Sequence, residues 1–185
     1  MQRSSSDESY ITSFKQVLYR HGGTMSTLAA LGLMLTLASK LLNRYASDFL
    51  TDPTLYLIAG TIICVFFILF LRFRKWELNK SQLLWIAYLL GISIVEEIAF
   101  RLTIPFLIMG VFGGFLSVLL SNLVFALIHY VTLRWKLIPC VFTFMGGIGF
   151  SRLLENSENI VLVILVHWFV TFLNTPRPPK ILEKN

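Results

Sequence analysis

The sequence predicts an all-α protein, a polytopic bundle of about six transmembrane helices. Of its 185 residues, 56% are hydrophobic and only 14% are charged, whereas soluble domains have roughly 45–50% apolar and about 25% charged residues. The mean hydropathy is +0.72, and the apolar residues are gathered into long runs. These observations exclude an ordinary soluble domain, a coiled coil and an intrinsically disordered chain.

Six apolar stretches are candidate membrane spans. In chain order they cover approximately residues 25–42, 54–71, 82–109, 114–133, 137–153 and 159–174. A helical span needs about 20 mainly apolar residues, so the first, fifth and sixth are short, and the third is long and contains Pro105. The predicted organisation is an N-terminal cytoplasmic or interfacial segment (1–24), a membrane domain (25–174) and a cytoplasmic tail (175–185).

The N-terminal segment contains one amphipathic stretch at residues 9–21. Its apolar residues recur at helical spacing: Ile11, Phe14, Val17 and Leu18. Gly22-Gly23 is expected to end this helix. Two interpretations are open, a short helix on the cytoplasmic lipid surface and a frayed polar tail.

The basic residues predict the orientation in the membrane. Twelve Lys and Arg residues fall in the N-terminal segment, the 72–81 loop, the 134–136 loop and the tail, and three fall on the opposite side. Because positive charge stays in the cytoplasm, both termini are predicted to be cytoplasmic. The net charge of +6 is explained by this topology, and no nucleic-acid partner is expected, since no basic face interleaved with aromatic residues is found.

Ionisable residues inside the apolar runs are the candidates for chemistry. They are Glu96, Glu97, Arg101, His129 and His167. A charge at mid-bilayer costs about 2.5–3.5 kcal/mol, and such groups normally face the protein interior and pair there. Glu97 and Arg101 are four residues apart and are expected to form an ion pair. Glu96 is rotated by about 100° from Glu97, which leaves it for a different partner.

Two further helices present polar residues at helical spacing. Phe125 and His129 are four residues apart in the fourth span, as are His167 and Thr171 in the sixth, where Asn174 follows. Three helices are therefore expected to direct one polar stripe each toward a common centre. One carboxylate and two imidazoles are enough to polarise a water and stabilise an oxyanion.

These residues resemble the motifs of a known family. Glu96-Glu97-Ile98-Ala99-Phe100-Arg101 is similar to the EExxxR motif of the CPBP family, the CAAX proteases and bacteriocin-processing proteins, also called the Abi family. Phe125–His129 resembles its FxxxH motif, and His167 falls where its third motif places a histidine. The stretch Met145–Gly149 resembles its glycine-rich span, and Gly146, Gly147 and Gly149 predict close helix packing. The resemblance covers about residues 82–174.

The resemblance implies a four-helix catalytic core and the activity of a type II CAAX prenyl endopeptidase, which removes a C-terminal tripeptide from an isoprenylated protein. It implies that Glu96 and His129 activate the water and that His167 helps to form the oxyanion hole. Glu97 is counted with these catalytic residues, and Arg101 and Phe125 support them. It also implies a glutamate-dependent protease without bound metal, so no cofactor is expected.

One position departs from the family pattern. The family commonly has HxxxN in its last motif, and Thr171 stands where that Asn would be. Thr171 is expected to support the oxyanion with its shorter hydroxyl, and loss of one oxyanion donor typically costs about 10²–10³ in rate. Catalytic efficiency is therefore left open by the sequence.

Two alternatives stay open at this point. A glutamate with two histidines resembles a zinc ligand set, although the three residues come from separate spans without an HExxH motif. A non-catalytic membrane immunity or scaffold protein would use the same buried polar network to bind a partner. For the enzyme, the expected partners are the lipid bilayer and a substrate that is a prenylated or lipidated protein, or a hydrophobic peptide such as a bacteriocin leader.

Overall fold

The protein is helical. The computed structural model describes residue 11, residues 13–36 and residues 38–179, and no β-strand occurs in these ranges. The helices are α1 (Phe14–Val17), α2 (Gly23–Leu35), α3 (Ala38–Tyr45), α4 (Ser47–Thr51), α5 (Thr54–Phe73), α6 (Lys80–Glu97), α7 (Ile104–Thr132), α8 (Leu137–Ser157) and α9 (Ile160–Asn174). Two π-helical turns, Leu18–Gly22 and Ile98–Thr103, join α1 to α2 and α6 to α7. The prediction of an all-α membrane bundle is confirmed.

Within the described residues, three helical stretches are long and apolar enough to cross a membrane: Thr54–Phe73, Lys80–Thr132 and Leu137–Ser157. The second has 53 residues, about 80 Å at roughly 1.5 Å per residue, against a hydrocarbon core of roughly 30 Å. It is broken at Gly113, whose φ of 73° and ψ of 166° suit a residue without a Cβ. The predicted third and fourth spans lie on either side of this break. The shorter apolar helix α9 coincides with the predicted sixth span.

The prediction of a single helix over residues 25–42 is wrong. α2 ends at Leu35, and Thr36 is extended, with φ −103° and ψ 160°. Both the amide and the hydroxyl of Thr36 donate to the carbonyl of Gly32, at 3.0 and 2.9 Å, which closes the last turn. The 13 residues of α2 give a helix about 20 Å long, shorter than a bilayer core.

The N-terminal residues pack against the bundle. The predicted helix end at Gly22-Gly23 is wrong, because Gly22 is helical (φ −56°, ψ −46°) and the chain continues into α2. Ile11 and Val17 are buried with aromatic residues of α5, α6 and α9. The described part of this segment is therefore neither a frayed tail nor a helix lying apart on the lipid surface. Residues 1–10 and 12, and the predicted tail beyond residue 179, lie outside the described residues.

Two glycines bring helices into close contact around the site. A Cβ at Gly32 of α2 would overlap the Thr103 side chain, and one at Gly147 of α8 would overlap Asn122 of α7. Gly147 thus packs as predicted. Gly146 and Gly149 do not, because a Cβ built at either meets no heavy atom within 4 Å.

Candidate active site

The predicted site residues lie on three helices in the middle of the bundle. Glu96 and Glu97 end α6, His129 lies near the end of α7, and His167 lies in the middle of α9. All four residues are buried, with exposed fractions of 2%, 0%, 5% and 6% respectively. Buried charges require partners, and these residues find them in one another.

Glu96 faces both predicted imidazoles. Its Oε1 lies 3.6 Å from His129 Nε2, and its Oε2 lies 3.5 Å from His167 Nε2. The structure therefore brings together the carboxylate and the two histidines that the sequence places on different helices. At these distances from the carboxylate, each imidazole Nε2 can also reach a molecule bound beside Glu96.

Glu97 has a different set of partners. Its Oε2 pairs with Arg101 Nε at 3.2 Å, as the four-residue spacing predicts, and its Oε1 contacts His167 Nδ1 at 2.6 Å. The Arg101 guanidinium also lies over the ring of Phe125, 4.6 Å from its centroid. The contact with His167 is not predicted by the sequence, and through it Glu97 orients one of the two imidazoles that face Glu96.

A π-helical turn follows the two glutamates and positions Arg101. Pro105 lies in the first turn of α7 and has no amide hydrogen, so the carbonyl of Phe100, five residues earlier, lacks its π-helical donor. Ser121 of α7 donates to that carbonyl at 2.7 Å. The irregular turn is thus stabilised by a side chain from the facing helix, and such turns are frequent at functional sites.

Backbone and carboxylate partners fix both imidazole orientations. His129 Nδ1 lies 2.8 Å from the carbonyl of Phe125, which can only accept, so this nitrogen carries a hydrogen. His167 Nδ1 likewise donates to Glu97. In both residues Nε2 is therefore the atom turned toward Glu96. Phe125 supports this arrangement with its carbonyl and with its ring, which packs edge-on to His129 at 4.7 Å between centroids.

Sequence reasoning missed His21. This residue lies in the first π-helical turn and is 3% exposed, and its Nε2 is 2.8 Å from Glu96 Oε1. The stripe of Ile11, Phe14 and Val17 continues at helical spacing through His21 to Met25. That continuity is a signal for a buried histidine, but the predicted helix end at Gly22-Gly23 separates His21 from the stripe's continuation.

A cavity of about 780 Å³ reaches the site. Glu96 and the three histidines line its inner end, together with Thr171. Residues from the loops that follow α5, α7 and α9 line its mouth: Trp76, Trp135, Thr175, Pro176 and Arg177. Trp85 Nε1 and Gln82 Nε2 donate to the carbonyls of Thr175 and Pro176 at 2.8 and 2.7 Å. The chain that follows α9 is thus held at the mouth.

Thr171 and Asn174 both line this cavity. Thr171 is half-buried one turn beyond His167, and Asn174 is exposed at the end of α9. Thr171 is therefore the nearer of the two to the buried end of the site.

The site also contains a group that could hold a metal ion. In the described part of the chain, His21, Glu96 and His129 each offer one ligand atom, and these atoms lie within 4.8 Å of one another. However, His21 Nε2 and Glu96 Oε1 are 2.8 Å apart, a hydrogen-bond separation. Two ligands on a tetrahedral zinc would be roughly 3.4 Å apart. The spacing fits a shared proton better than a shared metal.

The comparisons with known proteins decide the family. The model of the family described as type II CAAX prenyl endopeptidase Rce1-like matches residues 78–173, just over half of the chain. The chain belongs to this family. The match contains both glutamates, Arg101, His129 and His167, and it begins after α5. No curated protein and no solved structure matches the chain significantly.

The family and the three apolar helical stretches together make this an integral membrane protein. The resemblance drawn from the EExxxR and FxxxH motifs is confirmed at the level of the family. His21, by contrast, lies outside the matched region.

Proposed function

We propose that this protein is an intramembrane endopeptidase that cleaves a prenylated or otherwise lipidated peptide with a water activated by Glu96 and His129. The observation that carries the proposal is the buried Glu96 carboxylate, which faces imidazoles from two other helices at 3.5–3.6 Å at the inner end of a cavity. Groups placed in this way can bind a water between them and remove its proton.

In the proposed reaction, His129 Nε2 accepts a hydrogen bond from one O–H of the water, and Glu96 takes the other proton as the water oxygen attacks the scissile carbonyl carbon. The carbonyl oxygen becomes an oxyanion, to which protonated His167 donates through Nε2 and Thr171 through its hydroxyl. As the tetrahedral intermediate collapses, the C–N bond breaks and the leaving amine takes the proton from Glu96. Glu97 and Arg101 hold His167 in place and take no proton.

The walls of the cavity favour a lipidated substrate. Ile138 and Phe142 of α8 line it, yet they are 70% and 72% exposed. On a helix of a membrane bundle, such apolar side chains face lipid. A prenyl or acyl chain would therefore enter along α8 while the attached peptide occupies the polar inner end.

The proposal is tested by cleavage of synthetic peptides by the purified protein in detergent. Matched C-terminal peptides with and without a prenyl group, and a hydrophobic leader peptide, are incubated with wild type and with Glu96→Gln, and the products are identified by mass. We expect cleavage of the prenylated peptide by wild type alone. If wild type cleaves no peptide in the panel, or if Glu96→Gln cleaves equally well, the non-catalytic immunity or scaffold alternative becomes the better account.

We also propose that the cavity mouth and both termini face the cytoplasm. The loops at the mouth belong to the side that has most of the basic residues. The test is labelling of single cysteines in intact cells after replacement of Cys64 and Cys140 by Ala. Lys75→Cys in the loop after α5 should resist a membrane-impermeant reagent, and Asn156→Cys near the opposite end of α8 should react. The reverse pattern would overturn this orientation.

A further inference from the structure

His21 is a buried titratable residue that neither the motifs nor the family match includes. We propose that His21 is a positioning residue, which fixes the Glu96 carboxylate by a hydrogen bond to Oε1. The inference rests on the proposed function, because the orientation of Glu96 affects turnover only if Glu96 performs the chemistry.

Both ring nitrogens of His21 have partners. Nε2 lies 2.8 Å from Glu96 Oε1, and Nδ1 lies 2.8 Å from the hydroxyl of Thr132. The Thr132 hydroxyl donates its single hydrogen to the carbonyl of Ile128 at 2.7 Å. It must therefore accept from His21, which places a hydrogen on Nδ1.

This arrangement leaves one proton between His21 Nε2 and Glu96 Oε1. Since Nδ1 already carries a hydrogen, Nε2 either donates to the carboxylate as part of an imidazolium or accepts from the protonated acid. With Glu96 ionised for catalysis, His21 is the donor. The contact is then a charge-assisted hydrogen bond, which is shorter and stronger than a neutral one.

The hydrogen bond matters because the last torsion of a glutamate is otherwise broad. His21 holds Oε1 at 2.8 Å, whereas His129 and His167 approach the two carboxylate oxygens only to 3.6 and 3.5 Å. The closest contact therefore sets the plane of the carboxylate. The two longer contacts leave His129 and His167 free to act on the water and the substrate.

The N-terminal helices hold His21 rigidly for this role. Ile11 and Val17 are buried in the bundle before it, and Met25 is fully buried after it. The His21 ring also packs edge-on against His129, with 4.7 Å between centroids. A segment outside the family-matched core thus completes the surroundings of the catalytic carboxylate.

The test compares two amide replacements that differ by one methylene. Glutamine can place a donor where His21 Nε2 lies, whereas asparagine reaches only to the position of Nδ1. We expect His21→Asn to lower kcat by about 10–100-fold, the effect of losing one hydrogen bond to a charged group, with KM unchanged. His21→Gln should restore much of kcat. Thr132→Val, which removes only the hydroxyl that fixes the ring, should lower kcat by about fivefold.

Glu96→Gln is assayed in parallel so that two failures can be told apart. An active Glu96→Gln protein would overturn the proposed function itself. If Glu96→Gln is inactive but His21→Asn keeps its full kcat, only the role of His21 is overturned. An equal loss of kcat in His21→Asn and His21→Gln, at unchanged melting temperature, would also overturn it. If His21→Asn does not fold, an unchanged kcat in Thr132→Val would overturn it instead.

Discussion

Glu96 and Glu97 are neighbours in the chain but occupy different surroundings. Glu96 lines the cavity and is contacted by three imidazoles. Glu97 is 0% exposed and is paired with Arg101 and His167. The rotation of about 100° between successive helical residues turns one carboxylate toward the cavity and the other toward the interior of the bundle.

The two glutamates of one motif therefore have different roles, one in the chemistry and one in supporting the site. A carboxylate beside an arginine is held as a permanent ion pair, which is unsuited to taking and returning a proton. A carboxylate that faces the cavity among imidazoles has partners that can accept or donate a hydrogen bond, and it can reach a bound water. Glu97 acts on the reaction only through His167, whereas Glu96 reaches the cavity directly.

Apart from Glu96 itself, the largest effect is expected at His129. Substitution His129→Gln keeps a polar atom near Glu96 Oε1 but removes the basic imidazole nitrogen that polarises the water. Since a positioned acid–base residue typically contributes about 10²–10⁴-fold, kcat/KM for a prenylated peptide should fall by that factor. Steady-state kinetics on folded protein measures this, with thermal unfolding as the control. Activity within twofold of wild type would remove His129 from the proposed reaction.

On the Glu97 side the main effect should be on stability. Glu97→Gln leaves Arg101 buried without its counter-ion, and breaking a buried pair typically costs about 3–5 kcal/mol. The protein should melt early in detergent. The double variant Glu97→Gln with Arg101→Met should recover part of the loss, because it removes the unpaired charge. A single variant as stable as wild type would show that the pair is dispensable.

Much of the difference between Glu96 and Glu97 could be predicted from the sequence. Helical spacing alone pairs Glu97 with Arg101 and places Glu96 on a different face of the helix. His129 and His167 lie well inside apolar runs, which likewise predicts that they meet Glu96 in one buried site. The 25–42 span was mispredicted because hydropathy does not register the two hydrogen bonds by which Thr36 ends α2. His21 was missed because glycine usually ends a helix, whereas tertiary packing carries the helix through Gly22-Gly23 here.

A smaller effect, in this case a gain of activity, is expected from a substitution at Thr171. Thr171→Asn introduces a longer donor on the cavity wall, one turn after His167. If oxyanion stabilisation limits the reaction, kcat should rise by about tenfold, a fraction of what a complete oxyanion donor contributes. Thr171→Val, which has no donor, is the matched control and should lower kcat. Equal activity in all three proteins would place Thr171 outside the oxyanion site.

No effect is expected from metal removal. The 2.8 Å separation of His21 and Glu96 fits a proton between them, and we propose a reaction in which Glu96 acts without a metal. Dialysis against a chelator should therefore leave kcat unchanged. A loss of activity that zinc restores would show that His21, Glu96 and His129 bind a metal and would replace the proposed role of Glu96.

The different roles of the two glutamates are tested by measuring kcat for Glu96→Gln and Glu97→Gln on one prenylated peptide, normalised to folded protein, together with both melting temperatures. Each change removes one negative charge and keeps the size and hydrogen-bonding capacity of the side chain. We expect Glu96→Gln to melt like wild type with cleavage abolished, and Glu97→Gln to melt early while its folded fraction still cleaves. Full cleavage by Glu96→Gln, or abolition of cleavage by Glu97→Gln alone, would contradict the assignment of the chemistry to Glu96.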